Sequence, residues 1–283
     1  MRAIQMSEFG GPEVLRPVDV PDPQPGPGEV LIRVTRAGVN FADTHTRTNS
    51  YVQRATLPLI PGGEVAGTVV DTGERVVALV GNGGYAEYAV APRELAYPIP
   101  AGIDDAVALA MIVQGTTAWH LYRTAARVAD GESVVVHAAA GGVGSLAVQL
   151  GHPFGAGRVI ATASRAEKRS LALRLGAEVA IDPQAEGLTE RLIEANNGRP
   201  VDVVFEMSGG NVFEASYRAL APFGRIVAYG IATNRPTRSP PARCCATPAR
   251  WWASICFTPC SDRACSPIPW RTCSRARAAA SSR

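Results

Sequence analysis

From residue 133 onward, short apolar runs alternate regularly with segments in which apolar residues recur every three or four positions. The short runs are rich in β-branched residues and predict strands, whereas the periodic segments predict helices. The predicted strands are residues 134–137, 158–162, 179–181, 201–207 and 225–229, and the predicted helices lie near 143–151, 166–175, 187–197 and 212–220. This alternation predicts an α/β fold with a doubly wound parallel sheet.

The N-terminal part of the chain follows a different pattern, in which short β-like runs are separated by turns rich in glycine and proline. The predicted strands there are residues 3–9, 15–20, 29–37, 67–70, 75–78 and 85–91. This part is therefore predicted to be a compact, mostly β domain. Residues 104–127 then show the spacing of a helix with one apolar face.

Both patterns stop after Asn234. Residues 236–283 contain seven prolines and no credible strand or helix periodicity, so we expect an aberrant, disordered tail. No apolar run approaches the ~18 residues of a transmembrane helix. Residues 1–6 match an opening strand better than a signal peptide. We therefore expect no membrane contact and a cytoplasmic location.

The formal charge of +3 is the sum of two unlike parts. Up to Arg235 the chain has 20 basic and 24 acidic residues, whereas the tail has eight arginines and one acid. The basic excess therefore does not indicate nucleic-acid binding. All six cysteines lie in the tail, but with no nearby histidine and no C-x-x-C pair we expect no metal site.

The strand at 134–137 runs into a turn of small residues and then into an apolar helix. Glycines allow a tight turn and a close approach to a pyrophosphate, which the free N–H groups of a helix N-terminus bind. The candidate cofactor-binding residues of this turn are Ala138, Gly141, Gly142, Val143 and Gly144. The alternative is a small-residue turn that only packs a helix against a strand.

The end of the second strand of this sheet indicates which dinucleotide is bound. Folds that prefer NAD carry an acid there, about 20 residues past the glycines, which binds the ribose 2′-hydroxyl. Here the stretch holds Ser164, Arg165 and Lys168, the only lysine in the chain. Cations attract a 2′-phosphate, so NADPH is the predicted cofactor. The alternative is an exposed basic first turn, which the helix dipole disfavours.

Several motifs in order resemble the zinc-free quinone oxidoreductase branch of the medium-chain dehydrogenase/reductases. They are residues 9–15 (FGGPEVL), 38–43 (GVNFAD), 57–67 (LPLIPGGEVAG), 84–88 (GYAEY), 115–118 (GTTA) and 138–144 (AAAGGVG). The resemblance implies a GroES-like catalytic domain over residues 1–120 and a Rossmann domain over 121–235, with the active site between them. It also implies a homodimer for the parent fold.

Residue types argue against a zinc mechanism. Zinc-dependent relatives place a cysteine where Asn40 stands and a histidine where Gly63 stands, and neither replacement ligates zinc. Hydride transfer to an electrophilic acceptor, a quinone or an enone, needs no strong Lewis acid. The protein is then expected to position the nicotinamide and the acceptor.

The resemblance also indicates the remaining site residues. Asn40, Asp43 and Tyr51 are the candidate catalytic residues, with a turn cap or a surface aromatic as the structural alternative. Thr117 is expected to line the cofactor, unless it bonds a helix carbonyl. Ser208 and Gly209 end the fourth strand, and Gly230 and Ile231 the fifth, where carboxyl ends face the ligand crevice. A tyrosine that often helps hold the 2′-phosphate in the family is replaced by Asp182-Pro183.

The tail can be interpreted as a shifted reading frame. Tryptophan has a single codon, so regrouping the bases of Arg250-Trp251-Trp252-Ala253 yields Val-Gly, which resembles a strand of the family. We therefore place a frameshift between about Asn234 and Arg243, with a genuine disordered basic tail as the alternative.

Three functions follow from the sequence. The first is an NADPH-dependent reductase of quinones or related enones. The second is an inactive or poorly folded frameshifted product that at most binds NADPH. The third is an enoyl or alkenal reductase on the same fold.

Overall fold

A computed structural model describes residues 1–50, 54–230, 232 and 250–252 of the chain. Two of the predicted site residues, Tyr51 and Ile231, lie outside the described residues, as does most of the tail. No helix within the described ranges is long and apolar enough to cross a membrane.

The N-terminal part is mostly β, as predicted, and its strands pair in antiparallel fashion. Strands β1 (Arg2–Gln5) and β2 (Arg16–Asp19) form a two-stranded ribbon. A five-stranded sheet has the order β6-β3-β4-β5-β7, formed by β3 (Glu29–Ala37), β4 (Glu64–Val69), β5 (Arg75–Leu79), β6 (Tyr88–Pro92) and β7 (Ala96–Pro98). Short 3₁₀ turns occupy Pro12–Val14 and Arg93–Leu95. Helix α1 (Phe41–Arg47) follows β3 directly, where the sequence indicated only a turn.

One helical path joins the two sheets, and it confirms the helix predicted over residues 104–127. It runs through α2 (Asp105–Ala110), a π-helical turn (Met111–Gly115), α3 (Thr116–His120) and a second π-helical turn (Leu121–Ala126). Arg127 ends it in the left-handed region with φ 48°. The proposed domain boundary at residue 120 falls inside this path. π-Helical turns inside helices are frequent at functional sites.

The C-terminal part is the predicted parallel sheet with helices. Its elements in chain order are β8 (Ser133–Val136), α4 (Gly142–Leu150), a 3₁₀ turn (His152–Phe154), β9 (Arg158–Thr162), α5 (Ala166–Arg174), β10 (Val179–Ile181), α6 (Leu188–Ala195), β11 (Val201–Glu206), α7 (Gly210–Arg218) and β12 (Leu220–Ala228). Adjacent strands pair in parallel in the order β10-β9-β8-β11-β12. The predicted α/β, doubly wound architecture is confirmed.

The sheet does not stop at its fifth strand. Residues Arg250–Trp252 form β13, which pairs in parallel with β12 in the register Arg225↔Arg250 to Val227↔Trp252. The expectation that the tail contains no strand is therefore wrong for these three residues. The edge of β12 offers unpaired backbone N–H and C=O groups, and pairing with them can order a segment that has no periodicity of its own.

The parallel sheet is buried on both faces. Val134 and Val136 of β8 pack with α4 and the second π-helical turn, whereas Val135 faces α6 and α7. Tyr122, almost fully buried, donates a hydrogen bond from its hydroxyl to the Ala147 carbonyl at 2.7 Å. This contact fixes the helical path against α4.

A histidine lies at the end of β8 in this core. His137 is fully buried, and its two ring nitrogens lie 2.9 Å from Thr162 Oγ1 and 2.7 Å from Ser216 Oγ. Burial lowers the pKa of His137 to about 4, because the charged ring would lose its hydration. The neutral ring thus joins β8, β9 and α7 beneath the glycine turn.

This arrangement predicts how stability depends on pH. The folded pKa of His137 is below the unfolded value of 6.5, so the unfolded state binds the proton more tightly. The stabilisation is complete above about pH 6.5 and is lost as the pH falls towards 4, by a total of about 3 kcal/mol.

Urea unfolding between these pH values measures the effect, with His137→Gln as the reference variant. Because carboxyl groups titrate in both proteins, their contribution cancels in the difference. An equal pH slope in the two proteins would contradict the assignment.

Candidate active site

The turn after β8 is held by its own backbone. Ala138 has φ 49°, a conformation that side chains rarely adopt and that is found at functional turns. Its carbonyl accepts a hydrogen bond from the Gly141 N–H at 2.8 Å. Helix α4 begins at Gly142, so the amides of Gly142, Val143 and Gly144 belong to its first turn and have no acceptor within the helix. Free amides at a helix N-terminus are donors of the kind that bind anions, so the predicted phosphate site remains a prediction with suitable geometry.

Two glycines of this turn permit close approaches. A Cβ on Gly144 would lie 2.3 Å from the Ala138 carbonyl oxygen and 2.8 Å from the Ala139 Cα, both backbone atoms. A Cβ on Gly142 would lie 2.8 Å from Cγ of Gln114, in the helical path. Gly144 thus sets the helix against the strand, and Gly142 leaves space for the Gln114 side chain.

Exposed cations follow β9, next to the turn. Ser164, Arg165 and Lys168 are exposed, with Arg165 at the N-cap of α5. Among the described residues the side chains of Arg165 and Lys168 have no hydrogen bond or ion pair. Arg169 differs, because it donates to the Ala163 carbonyl at 2.8 Å and pairs with Asp182 at 3.2 Å. Asp182 therefore anchors Arg169.

The loop after β11 is tied to a buried carboxylate. Glu206 is fully buried, and its Oε1 accepts hydrogen bonds from the backbone N–H groups of Ser208 at 2.7 Å and Gly209 at 3.0 Å. Burial raises the pKa of Glu206, and these two hydrogen bonds oppose the increase. Gly209 has φ 78°, so the position favours glycine.

Two further candidates border the same region. Gly230 follows β12, and a Cβ on it would approach the Met207 Cβ to 3.2 Å. Thr117 lies half-buried in α3, which packs on α4, and its hydroxyl has no hydrogen bond within the described part of the chain. Thr116, its neighbour, makes the bond to a helix carbonyl instead, at Ile112.

The predicted catalytic residues Asn40 and Asp43 lie together at the N-terminus of α1. Asp43 Oδ2 accepts hydrogen bonds from the Asn40 backbone N–H at 2.8 Å and from the Tyr85 hydroxyl at 2.6 Å. Burial and the bond to Asp43 raise the pKa of Tyr85, so its proton stays on the hydroxyl. Asp43 therefore acts as a cap for α1 and as an anchor for Tyr85.

The Asn40 side chain joins two residues that sequence reasoning missed. Its Nδ2 donates to Glu64 Oε1 at 2.8 Å, and its Oδ1 accepts from Gln114 Nε2 at 2.6 Å. Glu64 is 1% exposed, and its Oε2 is buried without a hydrogen-bond partner among the described residues. Burial raises the pKa of Glu64, and hydrogen bonding from Asn40, Gln114 and the Val113 backbone opposes the increase.

A signal for these residues was present in the sequence. Glu64 is a charged residue at the start of an otherwise apolar strand, inside the motif at 57–67. Gln114 directly precedes the motif at 115–118, and Tyr85 lies within the motif at 84–88. No group of three or more His, Cys, Asp or Glu side chains is placed to hold a metal ion in the described part of the chain.

Comparison with known families agrees with this architecture. Residues 26–101 match the family described as "Alcohol dehydrogenase GroES-like domain", and residues 142–262 match "Zinc-binding dehydrogenase". A probable quinone oxidoreductase of Schizosaccharomyces pombe is 37% identical over 255 residues, which covers 85% of this chain and 76% of the relative. The chain belongs to the quinone oxidoreductase family.

Solved structures of this family superpose closely. A mycobacterial protein complexed with NADPH is 37% identical with a TM-score of 0.82, covering 89% of this chain and 80% of that one. The quinone oxidoreductase of Thermus thermophilus, also solved with NADPH, is 39% identical with a TM-score of 0.78 and the same coverage. The predicted family resemblance is confirmed.

The close approach at Gly144 yields a stability prediction. Gly144→Ala is expected to lower the free energy of unfolding by about 1–3 kcal/mol, because the new Cβ would overlap backbone atoms that cannot rotate away. Gly26→Ala is the control, since its Cβ would meet only the flexible end of Glu29, and should change stability by less than about 0.5 kcal/mol. Equal stability of the two variants in urea would refute the close contact.

Proposed function

We propose that the chain is an NADPH-dependent oxidoreductase that reduces quinones or related enones without zinc. The observation that carries this proposal is the position of Gln114. Its side chain donates to Asn40 on one side and packs against Gly142 of the glycine turn on the other. The candidate acceptor residue is thereby linked through one side chain to the candidate phosphate site.

The residues present fit NADPH. Gly142, Val143 and Gly144 would hold the pyrophosphate through their first-turn amides. Arg165 and Lys168 would hold the 2′-phosphate; within the described ranges they are unpaired cations at a helix N-terminus, an unfavourable place without an anion. Thr117 and the loop at Ser208 and Gly209 would complete the site. NADPH, when bound, supplies the hydride.

The donor set supports a mechanism without zinc. At the two positions where zinc-dependent relatives are expected to carry ligands, this chain has an amide, Asn40, and no side chain at all, Gly63. Asn40 already uses both of its side-chain polar atoms to bond Glu64 and Gln114. The protein's contribution is then to orient the acceptor and stabilise charge on its oxygen.

An apolar acceptor fits the surroundings of Asn40. Its neighbours Val39 and Phe41 are 79% and 55% exposed. A flat, uncharged quinone or enone would cover such surface favourably. NADPH would supply the hydride and become NADP⁺, solvent would supply the proton, and a quinone that gains both becomes a hydroquinone.

Titration of NADPH fluorescence against the purified chain, followed by a quinone reduction assay, tests the proposal. Binding with turnover supports it, whereas binding without turnover supports the alternative of an inactive frameshifted product. A substrate panel that includes enoyl thioesters and alkenals separates the third function, which no contact within the described residues favours over quinone reduction. Resequencing of the locus tests the frameshift itself.

Assembly and location complete the proposal. The resemblance supports a homodimer that pairs through the edge of the parallel sheet, and the N-terminal sequence pattern supports a cytoplasmic location. Sedimentation velocity of the purified chain and cell fractionation test these two points.

The cation pair yields a specific binding prediction. Arg165→Ala and Lys168→Ala should each weaken NADPH binding by about tenfold or more, because each variant loses a contact with the 2′-phosphate. NADH binding should stay nearly unchanged, because NADH has no 2′-phosphate. Arg174→Ala, which removes an exposed cation from the other end of α5, is the matched control. An equal loss of affinity in all three variants would contradict the prediction, because it would show that only the net charge of the protein matters.

A further inference from the structure

The Asn40 side-chain amide is held by directed hydrogen bonds on both of its polar atoms. Glu64 Oε1 accepts from Asn40 Nδ2 at 2.8 Å, and Gln114 Nε2 donates to Asn40 Oδ1 at 2.6 Å. Glu64 Oε1 also accepts from Gln114 Nε2 at 3.5 Å, so this oxygen serves as an acceptor, and a flipped Asn40 amide would place two acceptor oxygens in contact. The two partners therefore define a single orientation for the amide.

One N–H of the Asn40 side-chain amide has no hydrogen-bond partner among the described residues. Asn40 Nδ2 has two N–H bonds, of which one is used by Glu64, and Oδ1 is taken by Gln114. We infer that Glu64 and Gln114 are positioning residues that lock Asn40 with its second Nδ2–H presented to the carbonyl oxygen of the acceptor. This inference rests on the proposed function and names how the same site recognises its substrate.

The chemistry calls for such a donor. When a quinone or enone receives a hydride, negative charge develops on its carbonyl oxygen. A donor that is oriented beforehand stabilises this charge without reorganising at the moment of reaction, and removal of one such donor typically costs about 10²–10³ in kcat.

The surroundings of Glu64 are shaped to hold this carboxylate. Glu64 is 1% exposed, and a Cβ on Gly38 would lie within 2.6 Å of three of its side-chain atoms. Its second oxygen, Oε2, is buried without a hydrogen-bond partner in the described part of the chain, which is costly for folding.

Gln114 also contacts the glycine turn, which is the candidate phosphate site. Its Cγ occupies the space that a side chain on Gly142 would take. The Asn40 donor is therefore set relative to the glycine turn through one residue. The orientation of the acceptor and the placement of the cofactor are coupled by this contact.

A double-mutant cycle tests the inference. Asn40→Ala, Glu64→Met and the double variant are compared with the wild-type chain, and Glu64→Gln is included because it keeps an oxygen acceptor near the position of Oε1. Two readouts are used: kcat for quinone reduction, and the Kd of duroquinone without NADPH, from quenching of tryptophan fluorescence. Duroquinone has no free ring position for addition of cysteine thiols.

If Glu64 acts through Asn40, Glu64→Met lowers kcat by about 10- to 100-fold in the wild-type background, but by less than about threefold when Asn40 is already alanine. Glu64→Gln should recover most of the lost turnover. The Kd for NADPH, measured separately, should stay within about twofold. The Kd of duroquinone should show the same non-additivity.

Other outcomes overturn the inference. Equal effects of Glu64→Met in both backgrounds would mean a purely structural role, and so would an equal loss in Glu64→Gln and Glu64→Met. If the wild-type chain binds NADPH but reduces no quinone, the proposed function fails, and the duroquinone cycle alone then decides on the positioning role. Additive or absent effects in that cycle refute it.

Discussion

The geometry of the candidate site depends on the side chain of Gln114, which is held between the two parts of the molecule. On one side its amide bonds Asn40, the N-cap residue of α1. On the other side its Cγ lies against Gly142, where the helix of the glycine turn begins. Gln114 belongs to the π-helical turn Met111–Gly115. The helical path that joins the two sheets therefore also sets the distance between acceptor and cofactor residues.

Three buried titratable side chains lie near the candidate site: His137 and Glu206 in the parallel sheet and Glu64 in the antiparallel sheet. His137 stays neutral between two hydroxyls, Glu206 accepts from backbone amides, and Glu64 accepts from two side-chain amides. In each, directed hydrogen bonds replace part of the hydration lost on burial, which lowers the cost of burying such groups. The bonds of Glu206 connect the end of β11 to the loop at Ser208 and Gly209, and those of His137 connect β9 and α7.

The C-terminal part of the sheet combines an expected and an unexpected feature. The charge and cysteine content change abruptly after residue 235, as the sequence alone makes plain. Yet Arg250–Trp252 pair with β12, and the match to the dehydrogenase family runs to residue 262. An open strand edge can recruit a short segment through backbone groups alone, whatever its side chains.

Local patterns in the sequence were sufficient for the parallel sheet, the long helical path, the glycine turn and the exposed cations after β9, because each depends on periodicity or on residue type at fixed spacing. None of α1, β7 and β13 carries such a pattern, and all three were missed. The partnership of Asn40 with Glu64 and Gln114 joins residues 24 and 74 positions apart. No local rule contains these contacts, since only the packing of the two sheets around the helical path brings the three side chains together.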